Sequence, residues 1–208
     1  AAMRDLGIVP GGAVAIRDGL ILATGPSDQL ARQVRAERTL DAAGRVVLPG
    51  FVDPHTHLAW AGARADEFAN RVGGATYMEI MAAGGGIMST VRHTRAATID
   101  DLVAQTRPRL ERALAHGTTT VEIKTGYGLN IEDELIQLGV IERLREGFPG
   151  TLVPTFLGAH AIPAEFKGRA DDYVDLIVGE MLPAVAALDD PPPFCDVFCE
   201  EGAFTLDQ

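Results

Sequence analysis

Leu48-Pro49-Gly50-Phe51-Val52-Asp53-Pro54-His55-Thr56-His57 is the stretch on which the fold turns. An apolar run that ends in two histidines reads as a strand carrying chemistry at its C-terminal end. Strand side chains alternate between faces, so His55 and His57 point the same way with Cα atoms about 6.6–7 Å apart. Both imidazoles can then reach one metal ion at about 2.0–2.1 Å. Asp53 and Pro54 suit a strand end, where the active site of a (β/α)8 barrel opens. Val47 to Val52 read as buried, which argues against two polar residues on an exposed edge. Two histidines are still only part of a site, because a catalytic zinc or iron takes three protein ligands and an open position.

Downstream of this stretch the pattern becomes strand, loop, helix, repeated. Strands are expected at Gly50–His57, Thr118–Lys124, Thr151–Leu157 and Cys195–Cys199, and helices at Ile99–His116, Ile131–Glu146 and Asp171–Leu188. Val, Thr, Ile and Phe favour the strands, and Leu, Ala, Glu and Arg the helices. Gly117 and Gly147 stand where helix C-caps belong. Strands alternating with helices indicate βαβ units and a parallel sheet, so the class is α/β. Four such units are half of an eightfold barrel and would leave open edges. Thr205-Leu206-Asp207-Gln208 reads as the start of another helix, so a fragment of a longer chain is the economical expectation.

Upstream, residues 1–48 differ. Ala13–Ile16 and Leu20–Ala23 flank Arg17-Asp18-Gly19, and an Asp-Gly turn between apolar runs is a strong hairpin signal. Val46-Val47-Leu48 adds a further apolar run. The expectation is a small β element, part of a sheet whose first strand precedes Ala1. The division expected is therefore 1–48 as part of a flanking β-sandwich and 49–208 as half of a barrel.

Composition narrows the partners. Hydrophobic residues make up 47% of the 208 residues, enough for a sizeable core. Lys and Arg number 18 against 29 Asp and Glu, a net charge of −11 that gives no electrostatic reason to bind nucleic acid or an anionic membrane. An anionic substrate would need specific cations in its site. The two cysteines, Cys195 and Cys199, come with no secretory signal, and no apolar run is long enough to span a bilayer. A cytoplasmic location is expected, with both thiols on one strand face and buried.

The motif Leu48–His57 resembles the opening strand of the amidohydrolase superfamily, metal-dependent hydrolases with a (β/α)8 TIM-type barrel and a flanking β-sandwich. The hairpin at 13–25 is similar to that sandwich, and Gly117-Thr118-Thr119-Thr120-Val121 resembles a strand common there. A narrower likeness runs along most of the chain. Glu67-Phe68-Ala69, Gly74-Ala75-Thr76-Tyr77, Ala83-Gly84-Gly85-Gly86-Ile87, Glu122-Ile123-Lys124-Thr125-Gly126-Tyr127-Gly128 and Pro154–His160 all resemble the imidazolonepropionase family. Asp196-Val197-Phe198-Cys199-Glu200 and Gly202-Ala203-Phe204 extend the likeness nearly to the end.

The resemblance implies hydrolysis of 4-imidazolone-5-propanoate to N-formimidoyl-L-glutamate, a step of histidine degradation. It implies a metal ion, zinc or iron, held in part by His55 and His57, and a homodimer. It also implies substrate contacts from Arg64, Tyr127 and His160. From the residues alone each has a plainer reading: Arg64 as a surface arginine pairing with Asp66 or Glu67, Tyr127 as a loop aromatic over the core, His160 as a structural histidine. As a substrate residue, Arg64 would grip a carboxylate through its guanidinium fork. The remaining metal ligands, a histidine and an aspartate, and the proton-transfer glutamate are implied on later strands, beyond Gln208. The catalytic acid or base therefore stays unassigned; Glu122, Glu200 and Glu201 lie near strand ends without a match to that role.

Other polar residues read as less central. His116 is a cation at a helix C-terminus, and His93, near Arg92 and Arg95, is a solvated side chain. Gly84-Gly85-Gly86 lacks a phosphate-loop lysine and reads as a flexible loop over the mouth. Lys124 could suggest a carbamylated metal bridge, but two-metal relatives carry that lysine on a later strand. Another amidohydrolase, a deaminase or a cyclic amidase, and an inactive half-barrel are the alternatives.

Overall fold

The structure, a computed structural model, describes residues 4–200 and 202–208, with the backbone alone for 77, 81 and 82. Glu201 lies outside the described residues. The chain divides into two compact units, Ala1–Pro49 and Gly50–Gln208.

In the first unit, β1 (Gly12–Arg17) and β2 (Leu20–Pro26) form an antiparallel hairpin. Its turn residues Asp18 and Gly19 both have positive φ, 53° and 76°, as a type I′ turn requires. A short helix α1 (Ser27–Gln33) follows, with Leu30 buried and the Ser27 hydroxyl donating to the Gly11 carbonyl. Val46-Val47-Leu48, expected to add to the β element, forms no strand and is exposed.

The second unit is a parallel four-stranded sheet in the order β3 (Phe51–Thr56), β4 (Thr118–Lys124), β5 (Thr151–Ala159), β6 (Phe194–Val197). Sequential parallel order with a helix at each crossover is the arrangement that curls into a barrel, and this sheet is a half-barrel of that kind. α5 (Ile99–Ala115) leads into β4 and α6 (Ile131–Arg145) into β5. Three shorter helices, α2 (Ala65–Val72), α3 (Tyr77–Ala82) and α4 (Ile87–Ala96), fill the long connection after β3. These were not expected from the sequence, because each is ten residues or fewer and glycines separate them.

Helix ends follow local chemistry. Thr98 and Asp101 form a capping box at the start of α5, and the Asn130 side chain accepts the Asp133 N–H at the start of α6. Gly117 takes φ +93°, a conformation open to glycine, and closes α5. Gly147 does not play the same part: its φ lies outside the left-handed region and Glu146 ends α6 in helical geometry. The helix expected over Asp171–Leu188 is broken into α7 (Ala170–Leu176), a π-turn at Ile177–Met181 and α8 (Leu182–Ala186). Pro183 lacks an N–H and its ring crowds the carbonyl four residues back, so the backbone widens just before it.

The core lies between the sheet and α5–α8. Val121, Ile123, Leu152 and Phe156 from the strands pack with Leu102, Leu110, Ile141, Leu144, Tyr173 and Met181 from the helices. The two sheet edges differ from expectation. Phe51 and Val52 are 55% and 63% exposed rather than buried, because β3 has a strand on one side only among the described residues. β6 is the other edge and runs Phe194–Val197 rather than the expected Cys195–Cys199; Cys195 on it and Cys199 beyond it are exposed free thiols rather than buried ones.

Candidate active site

The C-terminal ends of β3, β4 and β5 gather four of the five residues singled out from the sequence. His57 stacks on His160, with ring centroids 4.5 Å apart and planes 11° from parallel. His55 meets His57 edge-on at 5.7 Å. The Tyr127 ring closes the group at 5.3 Å from His57 and 5.5 Å from His160. The contacts among His57, Tyr127 and His160 link residues 33 to 103 positions apart in the chain, since these three leave β3, β4 and β5 respectively.

Both stacked histidines are oriented by backbone carbonyls. His57 Nδ1 lies 3.1 Å from the Thr125 carbonyl and His160 Nδ1 2.8 Å from the Gly126 carbonyl. A carbonyl can only accept, so each neutral ring carries its proton on Nδ1 and leaves the Nε2 lone pair free. Burial, aided by neighbouring His160 and His55, holds the His57 pKa at about 4, which keeps it neutral at pH 7. Burial also lowers His160, against the opposing pull of the Gly126 hydrogen bond. Burial raises the Tyr127 phenol, while nearby Arg64 acts in the other direction, so the hydroxyl stays protonated.

Arg64, the fifth residue, caps α2 and is exposed. It does not join the ring cluster. With Tyr127, Trp60, Thr90 and His93 it lines a cavity of about 230 Å³. Glu67, one of the two candidate partners for Arg64 with Asp66, instead accepts the Gly86 N–H with both carboxylate oxygens at 3.1 Å. The Gly84-Gly85-Gly86 turn is further tied down by Arg92, which donates to the Gly84 carbonyl at 2.6 Å. His93 is exposed and bonded to the Ser89 carbonyl, and His116 sits at the C-cap of α5, each as expected.

Beneath the histidines runs a polar band of residues whose pairing the sequence did not show. The Lys124 ammonium lies 2.8 Å from Glu122 and 3.0 Å from Asp196, bridging β4 and β6. Thr155 on β5 donates to Glu122 at 2.6 Å. The alternation Glu122-Ile123-Lys124 placed both charges on one strand face, but the partner on β6 is a tertiary fact. A second missed group comprises Glu134 and Gln137 on α6, both buried. They occupy the same helical stripe as Leu138 and Ile141, so two polar side chains within an apolar stripe were the available signal.

As a metal set the described residues are partial. His55 and His57 present two imidazoles, and the carbonyl contact at His57 Nδ1 is the kind of second contact that metal-binding histidines make. No cluster of three or more His, Cys, Asp or Glu suited to a metal occurs among the described residues. None of the helices among them is long and apolar enough to cross a membrane.

Comparison with known proteins gives the chain's relatives. Residues 38–122 match the model of the Amidohydrolase family, and residues 12–33 match a bacterial imidazolonepropionase-like composite domain. The imidazolonepropionase of Symbiobacterium thermophilum is 55% identical over 207 residues, covering 98% of this chain and 49% of that protein. That of Chloroflexus aggregans is 55% identical over all of this chain and 50% of its own, and that of Parabacteroides distasonis 49% identical over the same shares. The chain spans about half the length of the curated relatives it matches. The chain is thus similar to the amidohydrolase family over residues 38–122 and, along nearly its whole length, to curated proteins named imidazolonepropionase.

Proposed function

We propose that the protein carrying this chain hydrolyses 4-imidazolone-5-propanoate to N-formimidoyl-L-glutamate, opening a cyclic amide during the breakdown of histidine to glutamate. The observation that carries this reading is the convergence of His55, His57, Tyr127 and His160 beside a cavity that Arg64 lines. The names of relatives at about 50% identity support the same substrate.

In this reading His55 and His57 hold one side of a zinc or iron ion, both of which imidazole suits. When bound, such an ion acts as a Lewis acid and makes water a stronger nucleophile at neutral pH. The chain's own residues bind and orient. Arg64 grips the propionate tail with its guanidinium fork. His160 offers its Nε2 lone pair to a ring N–H, because its Nδ1 proton is committed to the Gly126 carbonyl. Tyr127 donates its phenolic proton from the mouth, and the small anionic substrate fits a protein of the cytoplasm.

Turnover of 4-imidazolone-5-propanoate by the intact protein tests the reading, with and without a chelator. Ring opening that a chelator abolishes and that zinc or iron restores is expected. Hydrolysis of cytosine or dihydroorotate, with none of the imidazolone, would overturn it. The bare edges of β3 and β6 favour a second reading for the 208-residue chain by itself, that of an inert half-barrel. Tightly bound stoichiometric metal and turnover by that chain alone would exclude this.

A further inference from the structure

We propose that Glu134 and Gln137 are positioning residues of the site, acting through the loop Thr125–Leu129 to set the orientation and tautomer of His57 and His160. Its catalytic consequence rests on the function proposed above, whereas its structural content does not.

The loop's hydrogen bonds divide by direction. The N–H groups of residues 126–129 point back to α6, whereas that of Thr125 donates to the Thr155 carbonyl on β5. Glu134 accepts from Gly128 at 2.9 Å, from Leu129 at 2.8 Å and from Gly126 at 3.1 Å. Gln137 Oε1 accepts from Tyr127 and Gly128, each at 3.0 Å. Two of its carbonyls point forward to the imidazoles, Thr125 to His57 and Gly126 to His160, while that of Gly128 accepts from Arg95. The side-chain amide of Gln137 also donates to the Ala59 carbonyl, two residues past His57. Two side chains of one helix thereby fix the loop after β4 and the segment after β3 together.

A structural cap would not need this arrangement. A carboxylate in the first turn of α6 could meet the helix dipole from the surface, yet Glu134 is fully buried, a costly placement that its backbone donors offset. Burial raises its pKa, and the N–H donors of Leu129, Gly128 and Gly126 with the Thr125 hydroxyl oppose that shift. The backbone it holds is one that only glycine tolerates at a key point: Gly126 has φ +106°, and a Cβ there would come within 2.8 Å of the His160 ring nitrogen. The loop is fitted against His160 with no slack.

The test reads the histidines directly. Two-bond ¹H–¹⁵N spectra of the intact protein at neutral pH should show His57 and His160 each as a single Nδ1–H tautomer. Nε2–H tautomers or mixtures in the unaltered protein would overturn the proposal before any variant is made. Glu134→Gln keeps Oε1 as acceptor for Gly128 and Leu129 and should retain both signatures. Glu134→Leu and Gln137→Met should mix the tautomers while circular dichroism stays native. Turnover in these two should fall on the order of 100-fold, as expected for a reacting group displaced by about 1 Å. Folded Glu134→Leu or Gln137→Met with wild-type tautomers and turnover would reduce both residues to packing. If tautomers shift as expected but the unaltered protein does not open the imidazolone, the positioning role stands and the substrate assignment falls.

Discussion

At the scale of single residues, burial and backbone carbonyls favour neutral imidazoles at His57 and His160. His57 and His160 are half-buried, share a stacked face and are each held by a carbonyl, so each leaves its Nε2 lone pair free. Arg64 lies at the rim, free of Glu67, and its value to a carboxylate depends on the two-pronged guanidinium. Arg64→Lys keeps the charge and loses the fork, so KM for the imidazolone should rise about tenfold, the worth of one charged hydrogen bond. An unchanged KM in steady-state kinetics would return Arg64 to the surface. The Lys124 band makes a different statement, about stability. Hydrogen bonding from Lys124 depresses the Asp196 carboxyl below its ordinary 3.8. A depressed carboxyl stabilises the fold above its unfolded pKa and loses that contribution as pH falls through the folded one. Thermal midpoints followed from pH 6 to 2 should therefore drop in acid, and Asp196→Asn should flatten part of that drop. Parallel curves for the two proteins would show that the pair contributes nothing. Of the five candidate residues, sequence spacing alone pointed only to the His55–His57 pair. Arg64, Tyr127 and His160 were named only through family likeness, because the contacts that bring Tyr127 and His160 to His57 cross strand ends that no local spacing encodes.

At the scale of elements, the sequence was read well where local chemistry decides. Thr118–Lys124 was expected to the residue, and α5 and α6 to within one residue at their ends. Thr98, Asp101 and Asn130 are cap residues of the expected types. Thr98→Ala removes the acceptor for the Asp101 N–H and should cost about 1 kcal/mol in urea unfolding, because the α5 start is left with an unpaired donor. No change in midpoint would mean that packing of Leu102 and Leu110 alone holds the helix. Reading failed where elements are short or interrupted. α2–α4 have too few turns for a period to emerge, and Pro183 converts one expected helix into α7, a π-turn and α8. Proline was visible in the sequence; how the chain accommodates it depends on Met181 and Ile177 being buried against the core.

At the scale of the whole molecule, the α/β half-barrel was legible because four strands alternate with helices in regular order. The solvent exposure of its rim was not. Val47–Val52 read as buried since apolar runs are buried when a neighbour covers them, and sequence pattern cannot say whether the neighbour lies in the same chain. In the structure Val52 on β3, and Phe194 and Val197 on β6, are 63%, 57% and 52% exposed, at opposite ends of one sheet. Unpaired strand edges offer backbone N–H and C=O groups to any other strand, and apolar side chains there add a hydrophobic incentive. The 208-residue chain alone should therefore associate as its concentration rises, seen by sedimentation velocity as a growing weight-average mass. Val52→Lys with Val197→Lys places a charge on each edge and should shift the chain toward monomer without altering the core, since neither side chain is buried. A chain that stays monomeric at high concentration, with or without the lysines, would show that twist or loop cover already protects both edges. Association that the lysines leave untouched would place the contact elsewhere, away from β3 and β6.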